Sequence, residues 1–124
     1  MIELIIYAMI LLLIQVMVPS LTGVLTGRIK NSYLFSARDE QSDLPIAGQR
    51  AKRASINLQE SLPVFFVLAI LSIIQNVDTS QAATVWLIAR VIYLPAYMFN
   101  PPYLRTASWF VSIGALISMA LDLI

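Results

Sequence analysis

Four long apolar runs divide the chain. The first, residues 4–25, reads LIIYAMILLLIQVMVPSLTGVL; the others cover 54–74, 82–99 and 103–121. Each is close to the roughly 20 residues that an α-helix needs to cross a hydrocarbon core. The third is the shortest and carries Arg90. A tight polar turn at 76–81 separates the second run from the third, and Asn100-Pro101-Pro102 breaks the third from the fourth. The first run has neither a basic leader nor a clear small-residue cleavage site, so it predicts a retained helix and not a signal peptide. The pattern predicts an all-α integral membrane four-helix bundle in which residues 1–124 form a single domain, with a loop over 26–52.

Polar residues interrupt this pattern in register. At about 100 degrees per residue, Arg50, Arg53, Asn57 and Glu60 fall within an arc of about 80 degrees on the second helix. Arg90, Tyr93 and Tyr97 share an arc of about 60 degrees on the third, and Arg105, Ser108 and Ser112 do so on the fourth. A charged group at bilayer depth costs at least about 2.5 kcal/mol, so these stripes must converge on one another or on a wet cavity. Glu60 and Arg90 fall at comparable depth and are expected to neutralise each other. Each residue also has a plainer role. Asn57 can be interhelical hydrogen-bond glue, Tyr93 and Tyr97 an interfacial belt, and Arg50, Lys52 and Arg53 topology determinants. Gln15, Pro19, Pro63 and Pro95 read as packing and kink positions. Convergence at one membrane face favours a small, charged, peptide-like ligand, with Arg53 for a carboxylate, Asn57 for an amide and Glu60 for an amine.

Composition narrows the chemistry. The chain is 59% hydrophobic and 12% charged, with a mean hydropathy of +0.80 and a net charge of +1, values that suit a membrane protein and argue against nucleic-acid binding. It contains no cysteine and no histidine. Disulfides, a protein thiolate, a sulfur metal site and the commonest general base are therefore excluded, and no metal is implied. Most cations lie in or beside the 26–52 loop: Arg28, Lys30, Arg38, Arg50 and Lys52, with Asp39, Glu40 and Asp43 among them. The positive-inside rule places this loop and Arg105 on the cytoplasmic side, and both termini opposite.

Two blocks carry a family resemblance. RASINLQESLPVF, residues 53–65, resembles the R-A-x-x-N-x-x-E-x-x-P signature of the MAPEG family, the membrane-associated proteins in eicosanoid and glutathione metabolism. ARVIYLPAYMFNPPYLR, residues 89–105, resembles its second block, with an arginine, two tyrosines four apart and a later arginine. The resemblance spans essentially the whole chain and points to a bacterial-type member similar to microsomal glutathione transferases. It implies a homotrimer in the lipid membrane, with glutathione as co-substrate at subunit interfaces near the cytoplasmic face. Arg53, Asn57, Glu60, Arg90, Tyr93 and Tyr97 match glutathione-binding positions, and Arg105 matches the arginine that stabilises the thiolate. Some conjugating members carry tyrosine directly after the signature glutamate, where this chain has Ser61. Arg28, Lys30 and Arg38 align with no family glutathione contact.

The resulting expectation is a glutathione-dependent membrane transferase or peroxidase acting on hydrophobic electrophiles. The rival is a non-enzymatic membrane protein whose polar stripes serve trimer packing or lipid binding. A small multidrug transporter, also built of four short helices, would call for a carboxylate in the first helix, where only Gln15 stands in the interior of the run.

Overall fold

The computed structural model describes residues 1–37 and 44–124. Its elements are α1 (Ile2–Leu25), the single turn α2 (Asn31–Leu34), α3 (Ile46–Gln75), α4 (Ser80–Phe99) and α5 (Leu104–Asp122). No strand occurs among the described residues. The four long helices are each long and apolar enough to span a membrane, so the protein is a multi-pass, all-α membrane bundle.

The second helix starts at Ile46 and not near residue 54. Hydropathy registers only its membrane portion, whereas the preceding IAGQRAKR is polar but rich in good helix formers. Pro45, extended at φ −61 and ψ 162, precedes its first residue and suits a helix start because it has no N–H to leave unbonded. Arg50, Lys52 and Arg53 are thus already helical, and the 26–52 connection is correspondingly shorter. Gly48 lets this end of α3 approach α1, since a Cβ there would collide with Thr22 Oγ1.

Two left-handed asparagines end helices. Asn76 (φ 56) closes α3 and Asn100 (φ 53) closes α4, each using the tolerance of asparagine for this conformation. After Asn100, Pro101 and Pro102 prevent continuation, and Tyr103 is itself left-handed at φ 64. That conformation costs a bulky residue about 1–3 kcal/mol, and the turn it completes sets the direction in which α5, with Arg105 in its first turn, leaves.

α3 and α4 form the centre of the bundle, with α1 packed chiefly on α3 and α5 chiefly on α4. Trp86 stacks on Phe65 at 4.0 Å between ring centroids and 8° between planes. Leu58, Leu62, Ala69, Ala83, Leu116 and Met119 surround this pair, with Ala8 and Leu11 from α1. Many buried positions are small, including Ala51, Ala54, Ala89, Ala96 and Ala115. Small residues let helices approach closely where lipid supplies no hydrophobic drive for their association. Pro19, Pro63 and Pro95 lie inside continuous helices.

Candidate functional site

The connections make α1 and α4 run one way and α3 and α5 the other. The C-termini of the first pair and the N-termini of the second therefore meet at one end of the bundle. Arg28, Lys30, Arg50, Lys52, Arg53 and Arg105 all belong to this end, whereas Glu3, Asp78 and Asp122 belong to the other.

At the charged end, three helices supply one cluster. Tyr97 on α4 receives two guanidinium groups, Arg53 of α3 at 5.8 Å and Arg105 of α5 at 4.8 Å from its ring centroid. Neither arginine has a carboxylate partner among the described residues. Tyr93, one turn deeper, meets Tyr97 edge-on at 5.7 Å. Arg90, another turn in, is fully buried. Its guanidinium lies 4.5 Å from the centroid of the Tyr93 ring, and its Nη1 donates to Asn57 Oδ1 of α3 at 2.9 Å. Arg53, Asn57, Arg90, Tyr93, Tyr97 and Arg105 are thus brought into one continuous arrangement by contacts among α3, α4 and α5.

Two cavities border it. One of about 290 Å³ is lined by Tyr93, Tyr97, Arg105, Thr106 and Trp109. The other, a groove of about 480 Å³ between α3 and α5, has Asn57, Glu60, Ser61 and Trp109 at its polar part and Val64, Leu68, Ile113 and Ile117 along its apolar part. Trp109 borders both cavities, and sequence reasoning passed over it; its position four residues after Arg105, on the same helical face, was the available signal. The combination suits one ligand with a charged portion near the arginines and another with an apolar body along the groove.

Several expectations are corrected. Glu60 does not pair with Arg90: the carboxylate side chain is exposed and lines the groove, while Arg90 turns inward to Asn57 and keeps Nε and Nη2 unpartnered. The guanidinium reaches α3 at Asn57, three residues before Glu60. Arg50 belongs to the fold as well as to the stripe, since its Nη1 donates to the Met98 carbonyl at 3.2 Å in the last turn of α4, where carbonyls lack helical partners. Ser108 Oγ donates to the carbonyls of Leu104 and Arg105, and Ser112 Oγ to that of Trp109. These hydroxyls satisfy their own helix. Arg28 Nη1 donates to the Leu44 carbonyl at 3.4 Å, Lys30 is exposed beside α2, and Arg38, Asp39, Glu40 and Asp43 lie outside the described residues.

Among the described residues no group of histidine, cysteine, aspartate or glutamate is placed to hold a metal ion. Fold and site together define a multi-pass helical membrane protein with a cationic, tyrosine-lined cluster beside an apolar groove at one membrane face. The sequence profile of the MAPEG family matches residues 4–124, nearly the whole chain, and the chain belongs to that family. A comparison with curated proteins returns no match.

Proposed function

We propose that the protein is a glutathione-dependent membrane transferase or peroxidase acting on hydrophobic electrophiles dissolved in the bilayer. The observation that carries this reading is the pair of guanidinium groups on one tyrosine ring, Arg53 and Arg105 on Tyr97, with no carboxylate partner among the described residues. Such a pair calls for an anion. The family includes glutathione transferases and related enzymes, and glutathione brings two carboxylates, an amine, two amides and an ionisable thiol. The donor set suits it: Arg53 for a carboxylate, Asn57 for an amide, Glu60 for the amine, and Tyr93 and Tyr97 as walls. Arg90 acts from behind, by holding Asn57.

When bound, glutathione supplies the nucleophilic sulfur that the protein lacks. Arg105 stabilises that sulfur as the thiolate, aided by the positive end of the α5 dipole. The apolar wall of Val64, Leu68, Ile113 and Ile117 presents the electrophile from the lipid side. In the transferase reaction a carbon–sulfur bond forms and the leaving group departs with its electron pair. A homotrimer is part of the proposal, because Arg53, Glu60 and Arg105 are exposed in the isolated chain and a neighbouring copy would enclose them. So is the orientation in which the arginine-rich end is cytoplasmic and both termini are opposite.

Isothermal titration of the detergent-solubilised protein with glutathione tests the reading. Saturable binding is expected, with competition from an S-alkyl glutathione. Absence of binding would favour the rival in which the polar stripes serve packing or lipid contact.

A further inference from the structure

Gln15 of α1 is wholly buried, and among the described residues neither its Oε1 nor its Nε2 has a hydrogen-bond partner. Arg90 is also wholly buried, with Nε and Nη2 unpartnered. In a hydrocarbon setting, no bulk water is available to relieve either group. The unpartnered buried side-chain atoms are, among the described residues, four donors and one acceptor: Gln15 Nε2, Trp86 Nε1, Arg90 Nε and Arg90 Nη2 against Gln15 Oε1. Trp86 Nε1 is a donor and cannot serve Arg90. Asn57 Oδ1 already accepts from Nη1.

Register brings the complementary groups to one level. α1 and α4 run in the same direction and are in contact, and Leu11 of α1 shares a buried cluster with Trp86 of α4. One helical turn further along each, in the same direction, come Gln15 and Arg90. Both point into the bundle interior.

We infer that Gln15 Oε1 accepts from the free edge of the Arg90 guanidinium, directly or through one buried water, and that Gln15 is thereby a positioning residue for the ligand site. The chain of contacts runs Gln15, Arg90, Asn57. With its guanidinium held on both edges, Arg90 keeps Asn57 Oδ1 engaged and leaves the Asn57 amide nitrogen for a ligand in the groove. The link itself is independent of what binds there; its effect on glutathione rests on the function proposed above.

Two variants with opposite chemistry test it. Gln15→Leu removes the acceptor at similar volume. Gln15→Glu keeps the acceptor and adds a charge that a neighbouring Arg90 would neutralise. If the link exists, Gln15→Leu lowers the melting temperature of the detergent-solubilised protein, and Gln15→Glu folds and melts at or above Gln15→Leu. If Arg90 is not beside it, the glutamate is an unpaired buried carboxylate, and Gln15→Glu melts far below Gln15→Leu or fails to fold. That result overturns the inference, as does a Gln15→Leu protein that melts like wild type. Titration with glutathione adds the second readout. Affinity is expected to fall about tenfold in Gln15→Leu, the scale of one misplaced hydrogen bond, and to be largely restored in Gln15→Glu. If wild type binds no glutathione, the proposed function falls, and the melting comparison still decides the link.

Discussion

Arg90 Nη1 and Asn57 Oδ1 lie 2.9 Å apart, and this bond ties the centre of α4 to α3 behind the groove. It engages one edge of the Arg90 guanidinium. Asn57→Leu should therefore strand a buried guanidinium and destabilise the protein by about 3–5 kcal/mol. Asn57→Asp, which keeps an acceptor and adds a counter-charge, should stay folded. Thermal unfolding and size-exclusion chromatography in detergent check both; equal stability of the two variants would show that Arg90 does not depend on this oxygen.

Glu60 lines the groove and is exposed, with no tie to Arg90. Glu60→Gln should leave folding unchanged. Affinity for glutathione should fall by about 1.5–3 kcal/mol, the worth of a hydrogen bond to a charged group, or roughly 10- to 150-fold at 1.4 kcal/mol per decade. Calorimetric titration measures it. Unaltered affinity in the folded variant would remove Glu60 from the site.

In the proposed reaction the chemical step is assigned to Arg105. A free thiol with a pKa of about 8.5 is only a few per cent ionised at pH 7, and lowering it by about two units requires about 2.7 kcal/mol. One close, partly desolvated guanidinium at a helix N-terminus is of that order. Arg105→Ala should keep most glutathione affinity, because Arg53, Asn57 and Glu60 remain, but lose turnover and the ultraviolet absorbance of the bound thiolate. Difference spectra against pH provide the check, and a thiolate band that persists at pH 7 would count against this role.

At the opposite end of the bundle, the Asp78 carboxylate accepts hydrogen bonds from Ser80 Oγ at 2.6 Å and from the Ser80 backbone N–H at 3.0 Å. The hydroxyl bond first, and the backbone bond second, hold its pKa below the ordinary 3.8. A depressed pKa means that the folded turn binds a proton less readily than the unfolded chain. Its contribution is therefore present above 3.8 and lost as pH falls through the lower folded value. Protection of the 76–80 turn amides, taken relative to the intrinsic exchange rate at each pH, should fall below that range in wild type. Asp78→Asn, which cannot titrate, should show no such acid step.

The membrane class, the four spans and the polar stripes were legible in the chain because hydropathy and helical phase are local properties. About 20 apolar residues must be a spanning helix, and residues three or four apart must share a face. The signature blocks likewise pointed to the family, and the fold agrees with them. Local phase fixes which side of a helix a residue occupies, yet not which neighbour it meets. That choice fell to the packing of α3 against α4, which gave Arg90 to Asn57 and left Glu60 facing the groove. It also fell to the Asn100–Tyr103 turn, which swings Arg105 onto the ring already approached by Arg53. Gln15 shows the same division: the sequence marks it as one amide in an apolar run, and only the packed bundle shows that it is wholly buried, one turn beyond the level of Trp86. Interhelical angles and side-chain directions decide such pairings, and they exist only once all four helices have packed.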